Sequence, residues 1–112
     1  MHELSLMEEV RQQALQAAAA EGAARITAVR LRGGELAGVD ADALRLAFPL
    51  VMAGTIAAGA TLIIEAEAAE AFCQPCQAPF PPGALHECPR CGQFSPALWR
   101  GRSLQLVDLE VC

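Results

Sequence analysis

Cys73-Gln74-Pro75-Cys76 and Cys88-Pro89-Arg90-Cys91-Gly92 are two Cys-x-x-Cys knuckles with eleven residues between Cys76 and Cys88. Each can present two thiolates from a tight turn. Two such turns facing each other make a tetrahedral sulfur set, which suits Zn(II) at a Zn–S distance near ~2.3 Å. Gly92 fits the turn that the second knuckle needs. Four thiolates leave no open position, so the expected role of the zinc is structural. Residues 71–100 hold four of the five cysteines and six of the seven prolines, with few large apolar side chains. A unit of that composition needs a staple, and a structural zinc supplies on the order of 10–16 kcal/mol in isolated small domains. Iron in a rubredoxin-like site has the same ligand geometry and stays open. Disulfides do not suit a chain without an export signal, and a redox Cys-x-x-Cys occurs once, at the start of a helix. Cys112 has no partner by spacing and reads as a free thiol. His86, two residues before Cys88, reads as a solvated loop residue, with a further ligand or an interface contact as the alternatives.

The flanks read as one α/β domain, residues 1–70 plus 101–112, with 71–100 inserted into it. Ser5 and Glu8 match a capping box, which starts a helix at about Leu6. Leu6, Met7, Val10, Ala14, Ala17 and Ala18 recur at helical spacing, and Gly22 is the expected stop. Thr27, Val29 and Leu31 alternate as a half-buried strand, and Gly33-Gly34 reads as a turn. Asp40 or Asp42 caps a second helix with Leu44, Ala47, Phe48 and Val51 on one face. Pro49 is expected to kink or shorten that helix. Residues 54–60 form a turn, and 61–68 form a strand. Residues 103–111 form the last strand, with Val107, Leu109 and Val111 on one face.

The chain has 112 residues, is 54% hydrophobic and carries a net charge of -5. There is no Lys and no basic run, which argues against nucleic acid as a partner. Residues 46–64 carry no charge, but Pro49, Gly54, Thr55, Gly59 and Thr61 interrupt the run, so no membrane span is expected. The acidic start has no secretory pattern, which makes a cytoplasmic protein the expectation. No nucleophile–base pair, Gly-rich phosphate loop or open zinc site points to an enzyme.

Met1-His2-Glu3 opens the chain. A His at position two lies within chelating reach of the chain's amine, and small chelate rings through backbone nitrogens close with the imidazole. Such nitrogen-rich, flattened coordination suits Ni(II) or Cu(II) better than Zn(II). The bulk of His2 disfavours removal of Met1. A helix starting at Leu6 leaves residues 1–4 free to fold back on a metal.

The opening Met1-His2-Glu3-Leu4-Ser5-Leu6-Met7-Glu8, the segment Ile26-Thr27-Ala28-Val29 to Gly34-Glu35-Leu36-Ala37-Gly38-Val39, the helix Ala43-Leu44-Arg45-Leu46-Ala47-Phe48 and the paired knuckles follow in this order. Over nearly its full length the chain resembles the HypA/HybF hydrogenase nickel-incorporation proteins. The resemblance implies a non-enzymatic nickel metallochaperone for [NiFe]-hydrogenase maturation. It would work with a maturation GTPase, deliver Ni(II) as cargo to the hydrogenase large subunit, and in some members serve urease maturation proteins. The nickel ligand then maps onto His2, with the Met1 amine and the backbone at His2 and Glu3 completing the set and Asp40 as a further candidate. The zinc ligands map onto Cys73, Cys76, Cys88 and Cys91. The implied fold is α+β: two helices on a three-stranded, mainly antiparallel sheet, with the zinc unit inserted before the last strand. Pro49 and Cys112 depart from the family's pattern. The competing reading is a non-catalytic zinc-ribbon adaptor with an idle N-terminus.

Overall fold

The fold begins with a helix, α1, over His2–Ala20. The computed structural model describes residues 2–34, 37–83, 85–95, 98–101 and 103–112, and the side chain of His2 lies outside that description, as does Met1. Met7, Val10, Ala14 and Ala18 are buried along one stripe of α1, while Ala17, expected on that stripe, is exposed. The start corrects the capping-box expectation. Ser5 lies inside the helix and is exposed. No Gly or Pro stands upstream to break the helix, and Glu3 in the first turn suits its positive end. The helix stops where expected. Gly22 takes φ 66, Ala23 N–H donates to the Ala18 carbonyl and Gly22 N–H to that of Ala19, each at 3.0 Å, which is a Schellman closure.

Strand β1 covers Ile26–Gly34. Gly33 and Gly34 thus continue the strand rather than turning, because pairing supplies partners: Gly34 N–H donates to the Ser103 carbonyl at 2.9 Å. Helix α2 covers Ala41–Met52 and buries Leu44, Ala47, Phe48, Val51 and Met52. Asp40 is its N-cap, accepting from the backbone N–H groups of Asp42 at 2.9 Å and Ala43 at 3.4 Å. Pro49 neither ends nor shortens the helix. It sits on the exposed side, where the carbonyl that the missing N–H leaves without a partner is open to solvation. Thr55 closes the far end, its hydroxyl donating to the Met52 carbonyl at 2.7 Å and accepting from Ala57 N–H at 3.0 Å. Replacing Asp40 with Ala should lower stability by ~1 kcal/mol, read as a shift of the urea midpoint with an unchanged slope.

Strand β2 covers Thr61–Glu67 and β6 covers Leu104–Val111; the sheet order is β2-β1-β6. Cys112 N–H donates to the Arg25 carbonyl and the Thr27 hydroxyl to that of Glu110, so β1 and β6 run antiparallel. The buried side of β6 differs from expectation. Leu104, Leu106 and Leu109 pack on the core, whereas Val107 and Val111 are 36% and 41% exposed. The step from Leu106 to Leu109 breaks the period of two. The charged residues Arg30, Arg32, Glu65 and Asp108 link the three strands through ion pairs of 3.4 Å, worth little individually because all are substantially solvated.

The chain divides into two compact units. The first comprises Met1–Arg32, Val39–Glu65 and Leu104–Cys112 and holds α1, α2 and the main apolar core. The second comprises Gly33–Gly38 and Ala66–Ser103. It contains β3 (Glu70–Cys73), β4 (Ala78–Phe80) and β5 (Leu98–Arg100) in the order β4-β3-β5. Both pairings are antiparallel, with Phe72 opposite Pro79 and Ala71 opposite Leu98. Among the described residues, no helix is long and apolar enough to cross a membrane.

Candidate metal centre

In the second unit, β3 ends on Cys73 and the chain turns at once through the first knuckle. Gln77 takes φ 51, and its side-chain amide donates to the Gln74 carbonyl at 2.6 Å, which holds that turn shut. The second knuckle closes differently. Gly92 N–H donates to the Cys88 carbonyl at 2.8 Å, Cys88 N–H donates to the Gln93 carbonyl at 2.9 Å, and Gly92 takes φ 74. Its glycine therefore serves the expected turn.

These two turns bring the sulfurs of Cys73, Cys76, Cys88 and Cys91 within 4.8 Å of one another. The Cys73–Cys91 separation is 3.5 Å and that of Cys76–Cys88 is 3.9 Å. A tetrahedral ion with metal–sulfur bonds near ~2.3 Å separates its ligands by about 3.8 Å, so the set fits such an ion without rearranging the backbone. Cys73 and Cys88 are buried, Cys76 is half-buried and Cys91 is exposed. None of the four is joined in a disulfide.

The thiols differ in acidity. The backbone N–H groups of Cys91 and Arg90 point at the Cys88 sulfur and lower it to about 6. Cys76 is pushed up to about 12 by sharing hydrogen bonds with the thiols of Cys91 and Cys73. The backbone N–H of Cys76 pulls Cys73 down, but burial and the thiols of Cys91 and Cys88 together outweigh it and raise the net value. Near pH 7, Cys88 is therefore already a thiolate while Cys73 and Cys76 hold protons that a metal must displace. Loading with Zn(II) should release at least two protons, and fewer than the nearly four expected of unperturbed thiols with pKa about 8.5. Calorimetry in buffers of different ionisation enthalpy counts them. Acidification runs the same equilibrium backwards and favours loss of the metal.

Of the other sequence candidates, Glu3 is half-buried in the first turn of α1, and Asp40 is exposed and engaged in capping. Met1 and the His2 side chain lie outside the described residues. His86 is not in the cysteine group. It is half-buried, with φ 52, and its Nδ1 lies 3.2 Å from the Ser95 carbonyl oxygen. Ser95 was not legible as a site residue. Its hydroxyl donates to the Phe72 carbonyl at 2.6 Å and its N–H to the His86 carbonyl at 2.9 Å, so it ties the second knuckle's hairpin to β3. A lone Ser in a Pro-rich loop carries no spacing signal for that role.

A family model described as "Hydrogenase/urease nickel incorporation, metallochaperone, hypA" matches residues 1–111. A hydrogenase maturation factor HypA from Synechococcus sp. is 47% identical over 111 residues, covering 99% of each chain. One from Chloroflexus aurantiacus is 46% identical over 112 residues, covering 98% of each. The solution structure of a HypA protein superposes with a TM-score of 0.80 at 25% identity, covering all of this chain and 97% of the other. The solution structure of the Ni metallochaperone HypA from Helicobacter pylori has the same fold, with a TM-score of 0.74 at 24% identity and coverage of 97% and 96%. With a match running from the first residue through both knuckles to the last strand, the chain belongs to the HypA family of nickel-incorporation metallochaperones.

Proposed function

We propose that this chain carries Ni(II) at its N-terminus and delivers it, with a maturation GTPase, to the large subunit of a [NiFe]-hydrogenase in the cytoplasm. The four cysteines hold a structural Zn(II). The protein acts as a carrier and not a catalyst. Urease maturation proteins are a second set of partners, in keeping with the family description. The observation that carries this reading is the family match across residues 1–111, which takes in the Met1-His2-Glu3 start as well as the cysteine quartet.

The nickel ligands in this reading are the Met1 amine, the His2 imidazole and the backbone nitrogens at His2 and Glu3. Finding His2 and Glu3 in the first turn of α1 does not remove those nitrogens, because first-turn amides have no acceptor within the helix. The positive helix end also favours the anionic donors that deprotonated amides become. The zinc assignment draws on the sulfur separations, which fit a closed tetrahedral ion, and thiolate sets of this kind bind Zn(II) readily.

The test is a calorimetric Ni(II) titration of untagged, zinc-loaded protein. His2→Ala, and separately a short Gly-Ser extension ahead of Met1, should each abolish stoichiometric nickel binding while zinc content and helical signal stay unchanged. Undiminished nickel affinity in both would remove the N-terminal site and leave the zinc-ribbon adaptor reading. Asp40→Ala separates that residue's two candidate roles: a stability loss with intact nickel binding makes it a cap alone.

A further inference from the structure

The last strand carries two apolar residues that the core does not use. Val107 and Val111 are 36% and 41% exposed, although Leu104, Leu106 and Leu109 of the same strand pack inward. β6 lies at the edge of the sheet, so one side of its backbone has no strand partner among the described residues. Beside it run two surface grooves. One, of about 500 Å³, is lined by Gln13, Arg32 and residues 104–107. The other, of about 300 Å³, lies between Ala17, Ala18 and Glu21 of α1's end and residues 106–109 and 111 of β6.

The free charge along this edge is negative. Glu21 lines the second groove, Glu110 lies on β6 between Leu109 and Val111 outside the groove linings, and both are exposed with no ion-pair partner among the described residues. Arg32 in the groove is held by Glu65, and Arg30 by Glu65 and Asp108. Acidic residues on an edge strand also discourage edge-to-edge pairing between copies, and a second copy would set acid against acid. A strand guarded on both counts would not leave two valines exposed along a groove.

We infer that the β6 edge and the α1–β6 groove form a docking site for an extended, basic segment of a partner protein. The segment adds as a strand beside β6. Its backbone pairs with the open edge, its alternate apolar side chains cover Val107 and Val111, and its Lys or Arg side chains meet Glu21 and Glu110. The inference is independent of the nickel reading, since none of these residues is a candidate ligand.

The test uses the full zinc-loaded chain, isotope-labelled, titrated with a short peptide alternating Lys and Val and with its Glu–Val counterpart. The Lys–Val peptide should shift the amides of residues 104–111 and 17–21 and saturate; the Glu–Val peptide should not. Glu21→Lys with Glu110→Lys should weaken the Lys–Val peptide by about tenfold or more and admit the Glu–Val peptide. Both positions are exposed, so the fold survives the change. Val107→Gln, which keeps the charge, should also weaken binding. Equal binding of both peptides, or shifts confined to other residues, would overturn the proposal. So would concentration-dependent broadening of the β6 amides without peptide, which would make the occupant a second copy.

Discussion

Replacing Cys88 with Ser should abolish stoichiometric zinc binding and disorder the smaller unit while the larger one keeps its helices. Cys88 is buried and its sulfur lies 3.9 Å from that of Cys76. It is also the thiol whose surroundings most favour the thiolate, at about 6. A Ser hydroxyl does not ionise near neutrality and is a poor zinc ligand, so the change removes one bond and the easiest deprotonation. The rest of the unit cannot compensate. Its buried cluster is Ala71, Cys73, Phe80 and Cys88, with Cys76 and Leu98 packed against it. Only Phe80 among the fully buried members is large, worth roughly 1.5–3 kcal/mol. Ordering the backbone costs about 1–2 kcal/mol per residue. A structural zinc, supplying on the order of 10–16 kcal/mol in small domains, is the largest single stabilising contribution open to such a unit.

Two signals separate the units in this experiment. Trp99 is the only Trp. Its ring centroid lies 5.1 Å from that of Phe72, and its Nε1 donates to Glu70 at 3.2 Å, so its emission reports the smaller unit. The helical circular dichroism comes from α1 and α2, both in the larger unit. Red-shifted Trp emission with a preserved helical signal is the expected outcome. Loss of both together would show that the chain folds as one cooperative body and that the zinc supports all of it.

The parts of this structure that were legible in the sequence are those whose signal is local and has no competitor. The cysteine quartet is one: two short knuckles can face each other in few ways, and the sulfurs do converge. The apolar face of α2 and its aspartate cap, narrowed in the sequence to Asp40 or Asp42, are others, since the spacing of Leu44, Ala47, Phe48 and Val51 has only a helical reading. The start of α1 was not legible. A capping box marks where a helix is allowed to begin, and nothing in residues 2–4 stops it beginning earlier. Gly33 and Gly34 look like punctuation until Ser103, far away in sequence, provides a partner. The facing of β6 failed because a strict alternation cannot express the three-residue step between Leu106 and Leu109. The strands β3 to β5 carry Pro79 and few β-branched residues, and the cluster beneath them is half cysteine, so neither propensity nor apolar pattern announces them. The nickel ligands proposed at the N-terminus rest on residue type and resemblance alone, since Met1 and the His2 side chain lie outside the described residues.

The second large effect is expected at Gly101, which no motif singles out. Gly101 is buried, takes φ 83, and donates its N–H to Glu67 Oε1 at 2.9 Å. A Cβ there would overlap Ala69 Cα and would lie 2.7 Å from Ala69 N and 2.9 Å from the Ala68 carbonyl oxygen. All three are backbone atoms, so no flexible side-chain end can move aside. Gly101→Ala therefore combines left-handed strain of about 1–3 kcal/mol with overpacking of about 1–3 kcal/mol. A loss of roughly 2–6 kcal/mol follows, with an early unfolding transition in Trp99 emission. Gly92→Ala is the control within the same unit: its φ is 74, but nothing lies within 4 Å of the added carbon. It carries the strain without the clash and should cost only that strain, about 1–3 kcal/mol. Equal losses in the two variants would mean that backbone conformation alone decides the effect and that the chain at Ala68-Ala69 moves away freely. A much larger loss at Gly101 would make the close approach of two backbone segments, rather than the turn, the reason a glycine is needed there.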